Sequence, residues 1–173
     1  MTRRAVIDGG IVVNIIEAGP DFELPGKTLV DAGNASIGWS WDGEAFTSPP
    51  APPVTADQVD AERDRRIDAG FAFNGVHYQS APKDRENIAG AATAALGAMM
   101  AGVQPGDLRW HGGGDDFRWI AADNTEHDMD AQTTFAFGQE AMRHKQAHIF
   151  AARVLKDMDP IPADYATNEA YWP

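Results

Sequence analysis

The sequence predicts an α+β protein: a small N-terminal module of β-hairpins, joined by a proline-rich linker to a helical domain with two further β-hairpins. Short β-branched runs separated by glycine turns occupy residues 1–48. Four of the five residues at 49–53 are proline, a composition that favours an extended spacer over residues 49–54. The longest helical repeat of apolar residues lies within 131–158. We therefore expect a domain boundary at the linker and an α+β domain over residues 55–160.

Two hairpins are expected in the N-terminal module. In the first, β-branched runs at residues 5–7 and 11–16 flank Asp8-Gly9-Gly10, and glycine readily takes the positive φ angles of a tight turn. In the second, Asp42-Gly43 supplies the turn within residues 39–46. The module is therefore expected to form a small sheet.

Trp39, Trp41 and Phe46 are the candidate partner-contact residues of this module. Side chains alternate along a strand, so Trp39 and Trp41 are expected on the same face. Aromatic pairs of this kind commonly cover a small core. The alternative is that one face of the sheet docks on another subunit, because 48 residues bury little apolar surface alone.

Three helices are expected in the α+β domain. The first begins at the capping box Thr55-Ala56-Asp57-Gln58 and is mostly charged, with Glu62 and Arg66 paired at i,i+4 spacing. The second is rich in Ala and Gly, including Gly90 and Gly97, so that the third helix can approach it closely. The third has an N-cap at Asp130. The expected bounds are 55–69, 83–101 and 131–158.

One face of the third helix carries an apolar stripe with spacings of three and four residues, which indicates a face packed against another element. The stripe consists of Phe137, Ala141, His144, His148, Ala151, Leu155 and Met158. His144 and His148 lie one turn apart and could share a zinc ion, but the sequence has neither the His-Glu-x-x-His arrangement nor cysteine ligands. We expect both histidines in a semi-polar helix seam or at its rim.

The two hairpins of this domain have different turns. Asn74-Gly75 favours a type I′ turn, which makes Phe71 and Tyr78 cross-strand neighbours. The other is expected to have a strand at residues 108–110, followed by a glycine-rich loop that leads into residues 117–120.

The C-terminal tail, residues 161–173, is aromatic and has no helical or strand period. Its aromatic residues are Tyr165, Tyr171 and Trp172. The tail either folds back on the domain or anchors in a partner, since Tyr and Trp are favoured at both kinds of site. All three are therefore candidate partner-contact residues.

Charge and composition exclude several classes of partner. The 26 acidic and 14 basic residues give a net charge of −12, which repels nucleic acid and anionic membranes. The absence of cysteine excludes disulfides and thiolate metal sites. No apolar run approaches the length of a membrane span, and we expect no membrane insertion and no signal peptide.

The motifs that carry chemistry are incomplete. His111-Gly112-Gly113-Gly114 is similar to the oxyanion glycine run of lipases, but a Gly-x-Ser-x-Gly elbow is absent. The acidic segment 123–130 lacks the glycine of an EF-hand loop, which leaves a structural cation as an open alternative. No phosphate-binding or dinucleotide-binding glycine motif occurs. We predict no catalytic residue, no metal ligand and no cofactor.

Two groups of short motifs resemble proteins of tailed bacteriophages. The C-terminal part, over roughly residues 60–160, resembles a domain of unassigned biochemical role found in phage tail and tail-fibre proteins, on motifs at residues 66–71, 73–75, 119–124 and 147–153. The N-terminal part is similar to the β module that often precedes this domain or a tail-fibre assembly domain, on motifs at residues 12–16 and 37–46.

The resemblance implies a non-enzymatic structural component of a phage tail, located in the tail tip, baseplate or tail fibre and acting through protein–protein contacts. The alternative is a tail-fibre assembly chaperone that is not retained in the virion, and an enzyme is a third alternative. The implied partners are other tail proteins and further copies of the chain, with a trimer expected by analogy. The implied location is the virion tail, and the host cytoplasm during assembly.

Overall fold

The predicted α+β fold class is confirmed in the computed structural model, which describes residues 1–173. The chain divides into two units, Met1–Pro52 and Pro53–Pro173. The division falls inside the proline-rich segment where the linker was expected. The first unit holds a five-stranded sheet, and the second holds three helices and two two-stranded sheets.

The first unit is a five-stranded antiparallel sheet in the order β3-β1-β2-β4-β5. Its strands are β1 (Thr2–Asp8), β2 (Ile11–Ala18), β3 (Thr28–Asp31), β4 (Ser40–Trp41) and β5 (Phe46–Thr47). Both predicted hairpins are confirmed, and Gly9 and Gly10 take the positive φ angles of the first turn. Strand β3 was not predicted, because it pairs with β1 without a tight hairpin turn next to it in sequence.

Apolar side chains on one face of this sheet form its core. The buried members are Ala5, Ile7, Val12 and Ala32, and the half-buried residues packed on them include Trp39, Trp41 and Phe46. The rings of Trp41 and Phe46 lie 4.4 Å apart between centroids. The predicted common face of the two tryptophans is therefore confirmed, and it covers the core of the unit itself.

The second unit contains α1 (Ala56–Asp68), α2 (Pro82–Met100) and α3 (Ala131–Lys156), whose ends lie within two residues of the predicted bounds. The capping box is confirmed: Thr55 Oγ1 accepts from the backbone N–H of Gln58, while Gln58 Oε1 accepts from that of Thr55. Asp130 caps α3 by accepting from the N–H of Thr133 at 2.7 Å. None of the helices is long and apolar enough to span a membrane.

The hairpins of the second unit are β6 (Phe71–Phe73) with β7 (Val76–Tyr78), and β8 (Arg118–Ile120) with β9 (Glu126–Asp128). The predicted pairing of Phe71 with Tyr78 is confirmed.

The expected strand at residues 108–110 is wrong, because these residues form turns. Gly106 and Gly112 take positive φ on either side and interrupt an extended backbone. Trp110 is instead a single buried side chain, whose indole N–H donates to the Met129 carbonyl at 2.9 Å.

The predicted packing of α2 against α3 is confirmed, but the glycine that permits it lies on α3. A Cβ added at Gly138 would lie 2.4 Å from the Cβ of Ala92, whereas Cβ atoms at Gly90 and Gly97 would meet nothing within 4 Å. The two glycines on α2 therefore face away from α3, contrary to the expectation. Phe137, one residue before the close approach, is fully buried among the rings of Phe71, Tyr78 and Trp119.

Candidate interaction surface on helix α3

The aromatic tail folds back on the second unit. Trp172 is only 7% exposed and packs with Val59, Ala152 and Leu155, while Tyr165 and Tyr171 are half-buried beside it. Its indole N–H donates to the Tyr165 carbonyl at 2.7 Å. Of the two alternatives for the tail, the structure has the one in which these aromatics complete the core of their own chain. We therefore leave Tyr165, Tyr171 and Trp172 out of the candidate interaction surface.

Arg66 holds this tail in place. Its guanidinium lies 4.9 Å from the centroid of the Trp172 ring and forms ion pairs with Glu62 and Glu169, each at 2.7 Å. Hydrogen bonds from Arg65 and Arg66 hold the pKa of Glu62 below its ordinary value. The Glu62–Arg66 pair was predicted from the spacing, whereas the contact with Glu169 joins residues 103 positions apart and leaves no local sequence pattern.

His144 and His148 lie in the helix seam. His144 Nε2 is 3.3 Å from the Ile67 carbonyl, and His148 Nδ1 is 2.9 Å from the His144 carbonyl. Burial lowers the pKa of His144, and the neighbouring His148 adds to this effect. The His148 ring stacks on Trp172. The two histidines therefore connect the buried face of α3 with the C-terminal tail. This agrees with the expected position in a semi-polar helix seam.

Asp123, Thr125 and His127 form a hydrogen-bonded chain at the turn between β8 and β9. The Thr125 hydroxyl lies 2.6 Å from a carboxylate oxygen of Asp123 and 2.8 Å from His127 Nε2. Thr125 has one hydroxyl proton and donates it to the Asp123 carboxylate, and this hydrogen bond lowers the pKa of Asp123. His127 must then donate to Thr125, which is the reverse of the direction required for a base that activates a nucleophile. These hydrogen bonds therefore stabilise the turn between β8 and β9.

Large apolar side chains form an exposed strip on the C-terminal half of α3. The strip, called the α3 strip below, consists of Met142, Ile149, Phe150 and Val154, which are 62%, 41%, 61% and 58% exposed. At 100° per residue these positions spread over about 140° of the helix surface, with Met142 and Ile149 on the flank towards α1 and α2 and Phe150 and Val154 on the far flank. Exposed apolar residues grouped on one helix are typical of surfaces that contact other molecules.

Two exposed ion pairs lie on the same stretch of α3 as the strip residues. Arg143 pairs with Glu140, and Arg153 pairs with Asp157 at 2.9 Å. Both arginines are more than three-fifths exposed, so these pairs contribute little to the stability of the isolated chain. They are therefore free to form ion pairs with a partner at small energetic cost.

A shallow apolar groove adjoins the strip on the side of α2. It encloses about 210 Å³ and is lined by Ile88, Ala89, Gly138, Ala141 and Met142, with the cationic side chains of Arg85 and Lys145 at its edge. Met142 belongs to both features. Met142 therefore joins the groove to one end of the strip, while the charged Lys145 and the exposed Gln146 lie between it and Ile149 along the helix.

The α3 strip was not predicted from the sequence. The pattern that could have revealed it is a second apolar periodicity on the same helix, from Met142 to Ile149 at seven residues and from Phe150 to Val154 at four. The buried stripe, which includes Phe137 and Leu155, is the stronger pattern. The second pattern is overlooked when each helix is assumed to have only one apolar face.

A comparison with known protein families finds a match for the second unit. Residues 50–171 match the family described as "Domain of unknown function (DUF4376)", and the chain belongs to this family. The match includes the whole of α3 and its strip and leaves the whole N-terminal sheet outside. No curated protein and no solved structure matches the chain.

Proposed function

We propose that this chain is a non-enzymatic structural component of a bacteriophage tail, located in the tail tip, baseplate or tail fibre, and that it acts through protein–protein contacts. The resemblance of its short motifs to phage tail and tail-fibre proteins supports a location in the phage tail. The observation that carries the contact role is the α3 strip, with Phe150 at 61% and Met142 at 62% exposure.

The energetics favour a contact role for the strip. Full burial of one large apolar side chain is favourable by about 1.5–3 kcal/mol relative to full exposure. The four strip residues are 41–62% exposed, so a partner that covers them gains roughly half of that value for each. The net charge of −12 disfavours association over most of the surface. Helix α3 is different, because it contains one acidic residue, Glu140, and four basic residues. Helix α3 therefore does not add to the net negative charge of the chain, although one of its basic residues, Lys156, is bound to Asp60 of α1.

Quantitative mass spectrometry of purified phage particles, beside the infected-cell lysate, tests the proposal. We expect a fixed number of copies per particle. Abundance in the lysate together with absence from the particle would refute the structural role and support the alternative, a tail-fibre assembly chaperone whose strip covers apolar surface only during assembly.

A matched pair of variants tests the role of the strip in the same experiment. Phe150→Glu places a charge in the centre of the strip, and Thr93→Glu adds the same charge to an exposed position of α2. We expect particles to exclude the Phe150→Glu chain and to retain the Thr93→Glu chain. Equal incorporation of the two variants would refute the proposed contact role of the strip.

A further inference from the structure

We propose that the C-terminal tail, residues 161–173, is a lid that opens as one unit, and that Arg66 is the latch that keeps it closed. Opening of the lid uncovers an apolar groove between α1 and α3. The walls of this groove, called the α1–α3 groove below, include Val59 on α1 and Ala152 and Leu155 on α3. None of the α3 strip residues takes part, so the lid is independent of the proposed function.

The backbone hydrogen bonds of the tail all lie within the tail. Their acceptors are carbonyl oxygens of residues 162–169, and their donors are the N–H groups of Tyr165, Thr167, Asn168, Tyr171 and Trp172. No backbone–backbone hydrogen bond joins the tail to a helix or a hairpin of the second unit. The tail can therefore leave the helices without breaking its own backbone hydrogen bonds.

Side chains alone attach the tail to the helices, and Arg66 makes most of the polar contacts. Its guanidinium donates to both carboxylate oxygens of Glu169, at 2.7 and 3.0 Å, and to the Ala166 carbonyl at 3.0 Å. The other hydrogen bond between tail and helix is long, at 3.4 Å from the Tyr165 hydroxyl to the Gln58 carbonyl. One side chain of α1 therefore provides nearly all of the polar attachment.

Trp172 provides the apolar part of the attachment. It packs with Val59, Ala152 and Leu155, which are 0%, 0% and 1% exposed while the tail is in place. The Arg66 guanidinium lies 4.9 Å from the centroid of the Trp172 ring, which is within the range of a cation–π contact. Arg66 thus contacts the aromatic anchor as well as the polar groups of the tail, so its loss weakens the whole attachment.

Helices α1 and α3 stay attached to each other when the tail opens, because contacts outside the tail join them. Lys156 of α3 pairs with Asp60 of α1 at 2.6 Å, and His144 Nε2 lies 3.3 Å from the Ile67 carbonyl. Segments with few attachments open at lower free energies than the packed helices of a core. We therefore expect the tail to open while the three helices remain folded.

Thiol labelling of the folded chain tests the opening, and the chain suits this test because it contains no native cysteine. Ala152→Cys and Val59→Cys each place a thiol on one wall of the α1–α3 groove. Ala95→Cys is the matched control, because it is equally buried but lies in a different cluster, away from the tail. We expect both groove thiols to react at least about tenfold faster than the control thiol. Equal rates for all three would overturn the inference.

A matched pair of variants tests the latch in the same assay. Arg65 and Arg66 both pair with Glu62, but only Arg66 pairs with the tail. Methionine has a similar helix propensity to arginine, so Arg65→Met and Arg66→Met differ chiefly in the contact with the tail. In the Ala152→Cys chain we expect Arg66→Met to raise the labelling rate about tenfold and Arg65→Met to raise it less than about twofold.

A third variant removes the ion pair from the side of the tail. Glu169→Gln alters a side chain that is 75% exposed, leaves α1 unchanged, and should accelerate labelling of the groove about two- to threefold. The latch is refuted if Arg65→Met accelerates labelling as much as Arg66→Met, or if Glu169→Gln has no effect. Equal acceleration of the Ala95→Cys control by Arg66→Met would show unfolding of the whole unit and would overturn the separate opening of the tail.

Discussion

The close approach of α2 and α3 gives the sharpest stability prediction. Replacement of Gly138 by Ala puts a methyl group 2.4 Å from the Cβ of Ala92, and ordinary contacts begin at 3.4 Å. Neither methyl can rotate away, since each is fixed to its helix backbone. The helices must therefore separate by about 1 Å. Overpacking of this kind costs about 1–3 kcal/mol, and the higher helix propensity of Ala returns about 1 kcal/mol. We expect a net loss of up to about 2 kcal/mol in the free energy of unfolding.

Urea unfolding monitored by circular dichroism measures this loss, and two further substitutions isolate its cause. Ala92→Gly removes the opposing methyl, so a double-mutant cycle with Gly138→Ala should give a favourable coupling of about 1–3 kcal/mol. Gly90→Ala is the matched control, because nothing lies within 4 Å of its new Cβ, and it should stabilise the protein by about 0.5–1 kcal/mol. A Gly138→Ala chain as stable as the Gly90→Ala chain, or a cycle without coupling, would refute the predicted clash.

The remaining predictions concern the tail and the helix seam. Trp172→Ala should reduce the free energy of unfolding by about 3–5 kcal/mol in urea titrations, because Trp172 is 7% exposed and lies within the core; a loss under about 1 kcal/mol would contradict this. Because burial keeps the pKa of His144 below 6.5, the unfolded chain binds its proton first as the pH falls. Stability should therefore decline below pH 6.5, by at most about 1.4 kcal/mol per pH unit for this group, and a His144→Gln chain with an unchanged pH profile would contradict the assignment.

Elements coded by neighbouring residues were predictable from the sequence. Asn74-Gly75 fixes its hairpin because both residues favour positive φ, and the structure has them at 50° and 79°. Thr55 and Asp130 fix the starts of α1 and α3 through side-chain bonds to backbone groups three residues away. In each case the determining interaction spans at most a few residues, so that the local pattern is sufficient.

Features that depend on distant contacts were not predictable in the same way. Residues 108–110 were expected to form a strand, but the burial of Trp110 against Met129 and the flanking turns determine their conformation. The choice between the two alternatives for the tail depends on Arg66, which binds Glu169 at a separation of 103 residues.

The α3 strip was not predicted because its exposure also depends on distant contacts. Phe150 and Phe137 are equally apolar in sequence, and only the packing of α2 and β6 against one side of α3 distinguishes the exposed residue from the buried one. The sequence therefore predicted a helix with a buried face, and the structure was needed to show that a second apolar face remains exposed.

Hydroxyl-radical footprinting of the strip in the assembled particle tests the central claim most directly. Met142 and Phe150 react readily in the isolated chain at their exposures of 62% and 61%, and Met100, at 82%, is the internal reference outside the strip. We expect the oxidation of Met142 and Phe150, relative to Met100, to be several-fold lower in the particle than in the dilute isolated chain. Equal relative oxidation in the two states would contradict the claim that this chain acts through contacts made by the α3 strip.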